Sequence, residues 1–232
     1  MITSAANPRL RLVRRLASRA QREKLGLFVC EGEDLVEAGL AAGLEPVELL
    51  VAGENVEPEL LARVSSLAHP PRQMALFRRE DLPRLDRAAA PPTGLALWRV
   101  GDPGNLGTIL RAADALGPAF VVLSAGCADP TGPKALRAST GAVFHVPLGR
   151  FEDAPGRRIA LVAHGGEPLN ELDLSGPVTF VLGAERDGVP ESVAASCDCR
   201  ASIALEPGAE SLNVALAAAL ALYERRRSRA AG

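Results

Sequence analysis

The chain has 232 residues, 47% of them hydrophobic, and a formal net charge of −2. This is enough for one large domain or two small ones around a buried core. It excludes a protein whose overall charge draws it to nucleic acid, so an argument for RNA must rest on local charge.

The basic charge is almost entirely arginine, with only Lys24 and Lys134 as lysines. The cysteines Cys30, Cys127, Cys197 and Cys199 form no C-x-x-C pair, and His69, His145 and His164 are scattered. No metal site is expected, and the cysteines read as free thiols. The start, Met1-Ile-Thr-Ser, lacks a signal pattern, and no apolar run approaches the roughly 20 residues of a membrane helix. The expectation is a cytoplasmic protein without a membrane partner.

In chain order, Pro8 to Leu25 reads as one amphipathic helix. Leu10, Val13 and Leu16 form its apolar stripe, and Arg9, Arg11, Arg14, Arg15, Arg19, Arg22 and Lys24 face the single acid Glu23. That charge makes the six arginines candidate contacts to an RNA backbone; the alternative is a solvated helix face. A short strand at Leu27–Cys30, a helix at Glu31–Leu40, a strand at Pro46–Val51, a helix at Pro58–Leu67 and a strand at Gln73–Phe77 follow. Together they read as a small α/β unit over residues 1–90.

Asp86 to Gly94, with two prolines and a glycine, reads as a linker. Over residues 91–232, strands are expected at Leu95–Val100, Phe120–Ser124, Val143–Val146, Ile159–Ala163 and Val178–Leu182. Helices are expected at Leu106–Leu116, Pro133–Ser139 and Glu210–Arg226. Apolar strands alternating with helices predict a parallel sheet covered on both faces.

Three polar, glycine-containing segments could carry chemistry. Gly101 to Arg111 follows a strand and opens a helix, where ligands bind in open α/β sheets. It lacks the lysine of a phosphate loop, and Gly101, Gly104 and Gly107 miss the dinucleotide spacing. Asn105 can cap the helix with Arg111 as a surface residue, or both can face a ligand. Phe180 to Pro190 is an apolar strand running into Gly183, where the backbone can approach a ligand, followed by Glu185 and Asp187. Taken alone it also reads as a tight turn. In Ile203 to Ala215, Ser211 can cap the last helix, and Asn213 precedes an apolar run in which a buried amide would need partners.

Taken in order, these segments resemble the motifs of the SpoU or TrmH group of RNA 2′-O-ribose methyltransferases, within the SPOUT superfamily. Asp102-Pro-Gly-Asn-Leu-Gly-Thr-Ile-Leu-Arg-Ala-Ala-Asp114 is similar to the first motif, Gly183-Ala-Glu185 to the second and Glu210-Ser-Leu-Asn-Val-Ala215 to the third. Gly132 to Ser139 and Gly141 resemble the intervening segment. Ala184 stands where the family often has asparagine, and Ile203-Ala-Leu205 where it often has Ile-Pro-Met. In the first half, Asn7-Pro8, Arg22, Gly26, Phe28 and Glu31-Gly32 resemble the substrate-binding domain joined to many such enzymes.

The resemblance implies a SPOUT-type parallel sheet with a deep C-terminal trefoil knot, preceded by a ribosomal-protein-like (L30e-like) α/β domain. It implies a homodimer that binds S-adenosylmethionine through Gly183, Ile203, Leu212 and the loop after Leu123. It also implies that Asn105, Arg111, Glu185, Ser211 and Asn213 act in methyl transfer to an RNA ribose. Ribosomal RNA is favoured over tRNA, because the front domain resembles those of ribosomal RNA enzymes. The competing readings are an RNA-binding assembly factor without catalysis and a metabolite-binding α/β enzyme of another class.

Overall fold

The structure, a computed structural model, describes residues 1–231. The first unit opens with two helices, α1 (Pro8–Leu16) and α2 (Arg19–Leu25), in place of the single expected one. Asn7 caps α1 by accepting from the Arg9 N–H at 2.9 Å, and Pro8 takes the first turn, where no N–H is needed. At its other end, the Leu16 and Ala17 carbonyls accept from the Arg22 guanidinium, each at 2.8 Å. The side chain thus satisfies carbonyls that a helix end leaves unpaired.

Next come β1 (Leu27–Glu31), α3 (Glu33–Ala41), β2 (Glu48–Val51), α4 (Pro58–Val64) and β3 (Gln73–Arg78). Their sheet is antiparallel in the order β1-β3-β2.

The second unit contains β4 (Thr93–Leu97), α5 (Pro103–Leu116), β5 (Ala119–Leu123), α6 (Pro133–Ser139), β6 (Leu148–Arg150) and β7 (Arg157–Leu161). It continues with β8 (Glu167–Pro168), β9 (Val178–Leu182), α7 (Glu191–Ala194), β10 (Cys199–Ser202) and α8 (Val214–Ala231). Its seven-stranded sheet has the order β6-β5-β4-β9-β7-β10-β8, and every pairing is parallel. β4 and β9 are buried along their whole length, as expected of central strands covered on both faces. α5 and α6 pack closely at Gly107, where a Cβ would lie 2.5 Å from the Ala135 carbonyl oxygen.

The expected strand Val143–Val146 does not form. Ala142–Phe144 form a buried 3-10 turn, and the Phe144 ring lies 6.5 Å from Phe28 and 6.2 Å from Phe77. Val143, Phe144 and Val146 are buried around an exposed His145, and burial of a short segment does not fix its backbone. These three rings join the two units, whose buried side chains form one continuous core that runs from Phe28 and Phe77 to Leu97 and Leu136. The expected linker is tied down near its end, where the Pro92 carbonyl accepts from the Val178 N–H at 3.0 Å, and so is the stretch just before it. Leu85 N–H donates to the Leu148 carbonyl, and Leu148 N–H to that of Pro83, so the connection runs along the β6 edge.

Candidate active site

In parallel α/β sheets, ligands bind beyond the carboxyl ends of the strands. At that end of β7, β9 and β10 lies a cleft of about 460 Å³, within the size range of small-molecule sites. Gly183, Glu185, Ile203, Ser211 and Leu212 all line it, together with Leu161 to Ala163 at the end of β7. Gly183 follows β9 directly. A Cβ on it would fall 1.9 Å from the Gly188 carbonyl carbon, so the returning loop occupies the space of a side chain. The Ala184 carbonyl accepts from the Gly188 N–H at 2.9 Å. The loop is therefore pinned by the backbone of residue 184, which an alanine supplies as well as an asparagine would.

Asn105 lies in the first turn of α5, whose cap is Asp102: its carboxylate accepts from the Asn105 N–H at 2.8 Å. Lys134 donates to the same carboxylate at 2.8 Å, and this bond is the largest of the contacts that hold Asp102 below the usual carboxylate range. With its backbone capped by Asp102, the Asn105 side chain is free to bridge. Its Nδ2 donates to Glu185 Oε1 at 2.7 Å, and its Oδ1 accepts from Asn213 Nδ2 at 3.0 Å. Asn213 Oδ1 in turn accepts from the Ala215 N–H at 2.9 Å, so Asn213 caps α8, not Ser211. Asn213 is exposed, not buried, and its amide finds its partner across the loops. One carboxylate and two amides thus join all three segments.

Arg111 stands apart from this relay. Six residues beyond Asn105 on α5, it lies about 120° around the helix at about 100° per residue, and it is exposed. It forms no ion pair among the described residues. The structure therefore gives Glu185 to Asn105 and leaves the guanidinium available.

Leu123 does not reach the cleft. It ends β5, paired with Leu97 and Arg150, and β4 separates it from β9. The loop after it folds back instead, where Ser124 Oγ accepts from the Arg99 N–H at 2.9 Å. Leu161 to Ala163 take the place expected for that loop. The signal that could have found them is the apolar strand ending at His164-Gly-Gly166.

Arg22 is also displaced from its expected role. It is 4% exposed and pairs with Asp129 at 2.8 Å, so it holds the two units together and cannot face RNA. Arg9, Arg11, Arg14, Arg15 and Arg19 remain exposed.

Residues 92–223 match the SpoU rRNA Methylase family, and residues 7–76 match the MRM3-like substrate binding domain. The chain is 31% identical over 249 residues to the 23S rRNA (guanosine(2553)-2'-O)-methyltransferase RlmP of Bacillus subtilis, covering 97% of this chain and 98% of that one. It superposes with a TM-score of 0.86 on an AdoMet-bound rRNA methyltransferase from Sinorhizobium meliloti, at 28% identity and 97% coverage of both chains. The SpoU methyltransferase AviRb of Streptomyces viridochromogenes, also in complex with AdoMet, gives a TM-score of 0.83 at 26% identity, covering 97% of this chain and 99% of that one. Its motif-bearing half, the domain in front of it and the cleft at the strand ends make this chain a member of the SpoU rRNA methylase family.

Proposed function

We propose that this protein methylates a ribose 2′-hydroxyl of ribosomal RNA with S-adenosylmethionine as methyl donor. The observation that carries the reading is the Glu185–Asn105–Asn213 relay, which closes three separate loops beside one cleft.

The cleft suits the cofactor. Gly183 lets the returning loop close against the end of β9 and shape the cleft, Leu161, Ile203 and Leu212 offer apolar walls, and Glu185 and Ser211 add polar groups at the rim. When bound there, S-adenosylmethionine supplies an electrophilic methyl group on a sulfonium. The residues of the chain supply position and charge. Glu185 and Asn213 hold Asn105 from both sides, so the loops cannot drift independently.

Arg111 is the group that meets the RNA. Guanidinium stays protonated at any working pH, so it serves as a clamp on a phosphate and a stabiliser of developing oxyanion charge, not as a base. The proton of the 2′-hydroxyl leaves to a phosphate oxygen or to water.

The further assignments rest on the same reading. Residues 1–90 hold the RNA and residues 91–232 transfer the methyl group, in the cytoplasm where ribosomal RNA resides. The front unit takes the ribosomal-protein-like (L30e-like) form. The C-terminal part forms a trefoil knot. This is supported by β9 lying between β4 and β7, and by residues 203–213 returning past the Gly183 loop to reach Asn105 before α8 packs on α5. The enzyme works as a homodimer through α8, where Leu216, Leu220 and Tyr223 expose 56%, 43% and 57% of their surface along one face. In that arrangement Arg111 acts beside the partner's cofactor, in keeping with its distance around α5 from Asn105.

Tritium transfer from methyl-labelled S-adenosylmethionine to ribosomal RNA tests the reading, with Arg111→Ala as control. Labelled 2′-O-methylnucleotides are expected with the wild type. The variant should lose at least about a hundredfold in turnover while calorimetry shows unchanged cofactor binding. Near-wild-type turnover in the variant would end the role given to Arg111, and absence of RNA labelling by the wild type would end the function itself.

A further inference from the structure

β4 runs from Thr93 to Leu97 beside β9, with Leu97 opposite Leu182 at the cofactor end. At the other end of these strands lies a second cavity of about 320 Å³, walled by Thr93, Gly117, Leu222, Arg225, Arg226 and Arg229. Arg225 is 5% exposed, and its Nε is the one buried side-chain nitrogen or oxygen without a hydrogen-bond partner among the described residues.

The arginines are poorly neutralised. Arg225 Nη2 donates to the Gly176 carbonyl at 2.6 Å, and Arg226 Nη1 reaches the Ala115 carbonyl at 3.4 Å. None of the three forms an ion pair among the described residues. Arg227, on another face of α8, is instead paired with Glu224. Asp173 is the acid that acts on Arg225, but its two carboxylate oxygens accept from the Ser175 N–H and hydroxyl. Burial, and then the charge of Arg229, push the Arg225 guanidinium below its usual range.

A buried cation is costly unless it is paired and hydrogen-bonded. A clamp on Gly176 would explain one nitrogen of Arg225. It would not explain a cavity on which two further arginines converge without a carboxylate.

We propose that this cavity is a phosphate site, which takes a tetrahedral oxyanion at the end of the sheet opposite the cofactor cleft. An oxyanion supplies the missing charge and several acceptors for planar guanidinium groups, a geometry that arginine matches well. The phosphate comes either from an RNA backbone or from free inorganic phosphate.

The test uses the purified full chain and the double variant Arg226→Gln, Arg229→Gln, which changes two exposed residues and leaves buried Arg225 in place. Melting is followed in inorganic phosphate against chloride at matched ionic strength. Once phosphate exceeds its Kd a hundredfold, the wild type should gain about 5–10 °C, and the double variant should lose that gain. A phosphate effect no larger than that of chloride, or one retained by the double variant, overturns the site.

RNA affinity against salt then separates the sources, in an arm that rests on the RNA-methylation reading. If RNA supplies the phosphate, the double variant binds RNA more weakly and its salt slope falls by about one unit for each phosphate it no longer neutralises. If RNA binding is unchanged while the phosphate effect is lost, the ligand is free phosphate. The melting arm does not depend on methyl transfer, so the two proposals fail separately.

Discussion

Asn105 and Asn213 lie 108 positions apart in sequence and meet amide to amide at 3.0 Å. Each performs a second task with its remaining atom, Asn105 toward Glu185 and Asn213 toward the start of α8. Removing Asn105 should therefore loosen three loops at once. Asn105→Ala is expected to lower kcat about a hundredfold, the scale on which small misplacements act. Cofactor affinity should change much less, because Asn105 is not among the residues that wall the cleft. Steady-state kinetics with calorimetry on the same preparation checks this; a large loss of cofactor affinity at unchanged kcat would contradict it.

Gly183 offers a sharper steric test. A methyl group there would meet the backbone of Gly188 and Val189 at 1.9 to 2.2 Å, with no flexible side chain to give way. Overpacking of this kind costs about 1–3 kcal/mol, so Gly183→Ala should weaken S-adenosylmethionine binding about ten- to a hundredfold. Calorimetric titration at wild-type affinity would show that the loop does not shape the site.

Asp129 joins the two units through Arg22 and Arg79. Burial would raise its pKa, but the charge of Arg79 and the hydrogen bonds from Thr131 and Arg22 outweigh it and hold the carboxyl below its usual range. A depressed carboxylate adds stability above its unfolded pKa, which is lost as pH falls through the folded value. Asp129→Asn leaves buried guanidinium charge unmatched, so it should cost about 3–5 kcal/mol near neutrality. The wild-type advantage should shrink below about pH 4, the unfolded value for aspartate. Urea melts of both proteins from pH 7 to 3 read this directly; a pH-independent difference would remove the linkage.

The exposed arginines of α1 and α2 carry the RNA expectation. Changing Arg9, Arg11, Arg14, Arg15 and Arg19 to glutamine should weaken RNA binding and reduce the salt slope by about 0.7–0.9 for each phosphate left without its arginine. Arg9 and Arg19 already pair with Glu48 and Glu23, so they should contribute least. Unchanged affinity and slope across a salt titration would make this face ordinary solvated surface.

Much of the fold is legible in the sequence, and what is not has shared physical causes. β9 and α6 fall where the sequence puts them, because Val178–Leu182 is apolar but for Thr179 and Pro133 marks the first turn of α6. β10 escapes the pattern because only Ala201 of Cys199–Ser202 is buried, and β8 has two residues. Arg22 departs from its expected place because periodicity in a charged segment cannot say which arginine turns inward. Its partner Asp129 is 107 residues away. Leu123 departs because chain order does not reveal strand order: β4 stands between it and the cleft, while β7 delivers Leu161 to it. The relay through Asn105 is visible in the sequence only as three motifs in order, since no single segment contains its geometry.

The most direct test of the central claim is a map of 2′-O-methylated nucleotides in ribosomal RNA from cells with and without this protein. The account predicts that a specific ribosomal RNA ribose loses its methyl group when the protein is absent. It also predicts that the purified enzyme restores that methyl group with S-adenosylmethionine. An unchanged ribosomal RNA map, or a methyl group restored on a base and not a ribose, would contradict it.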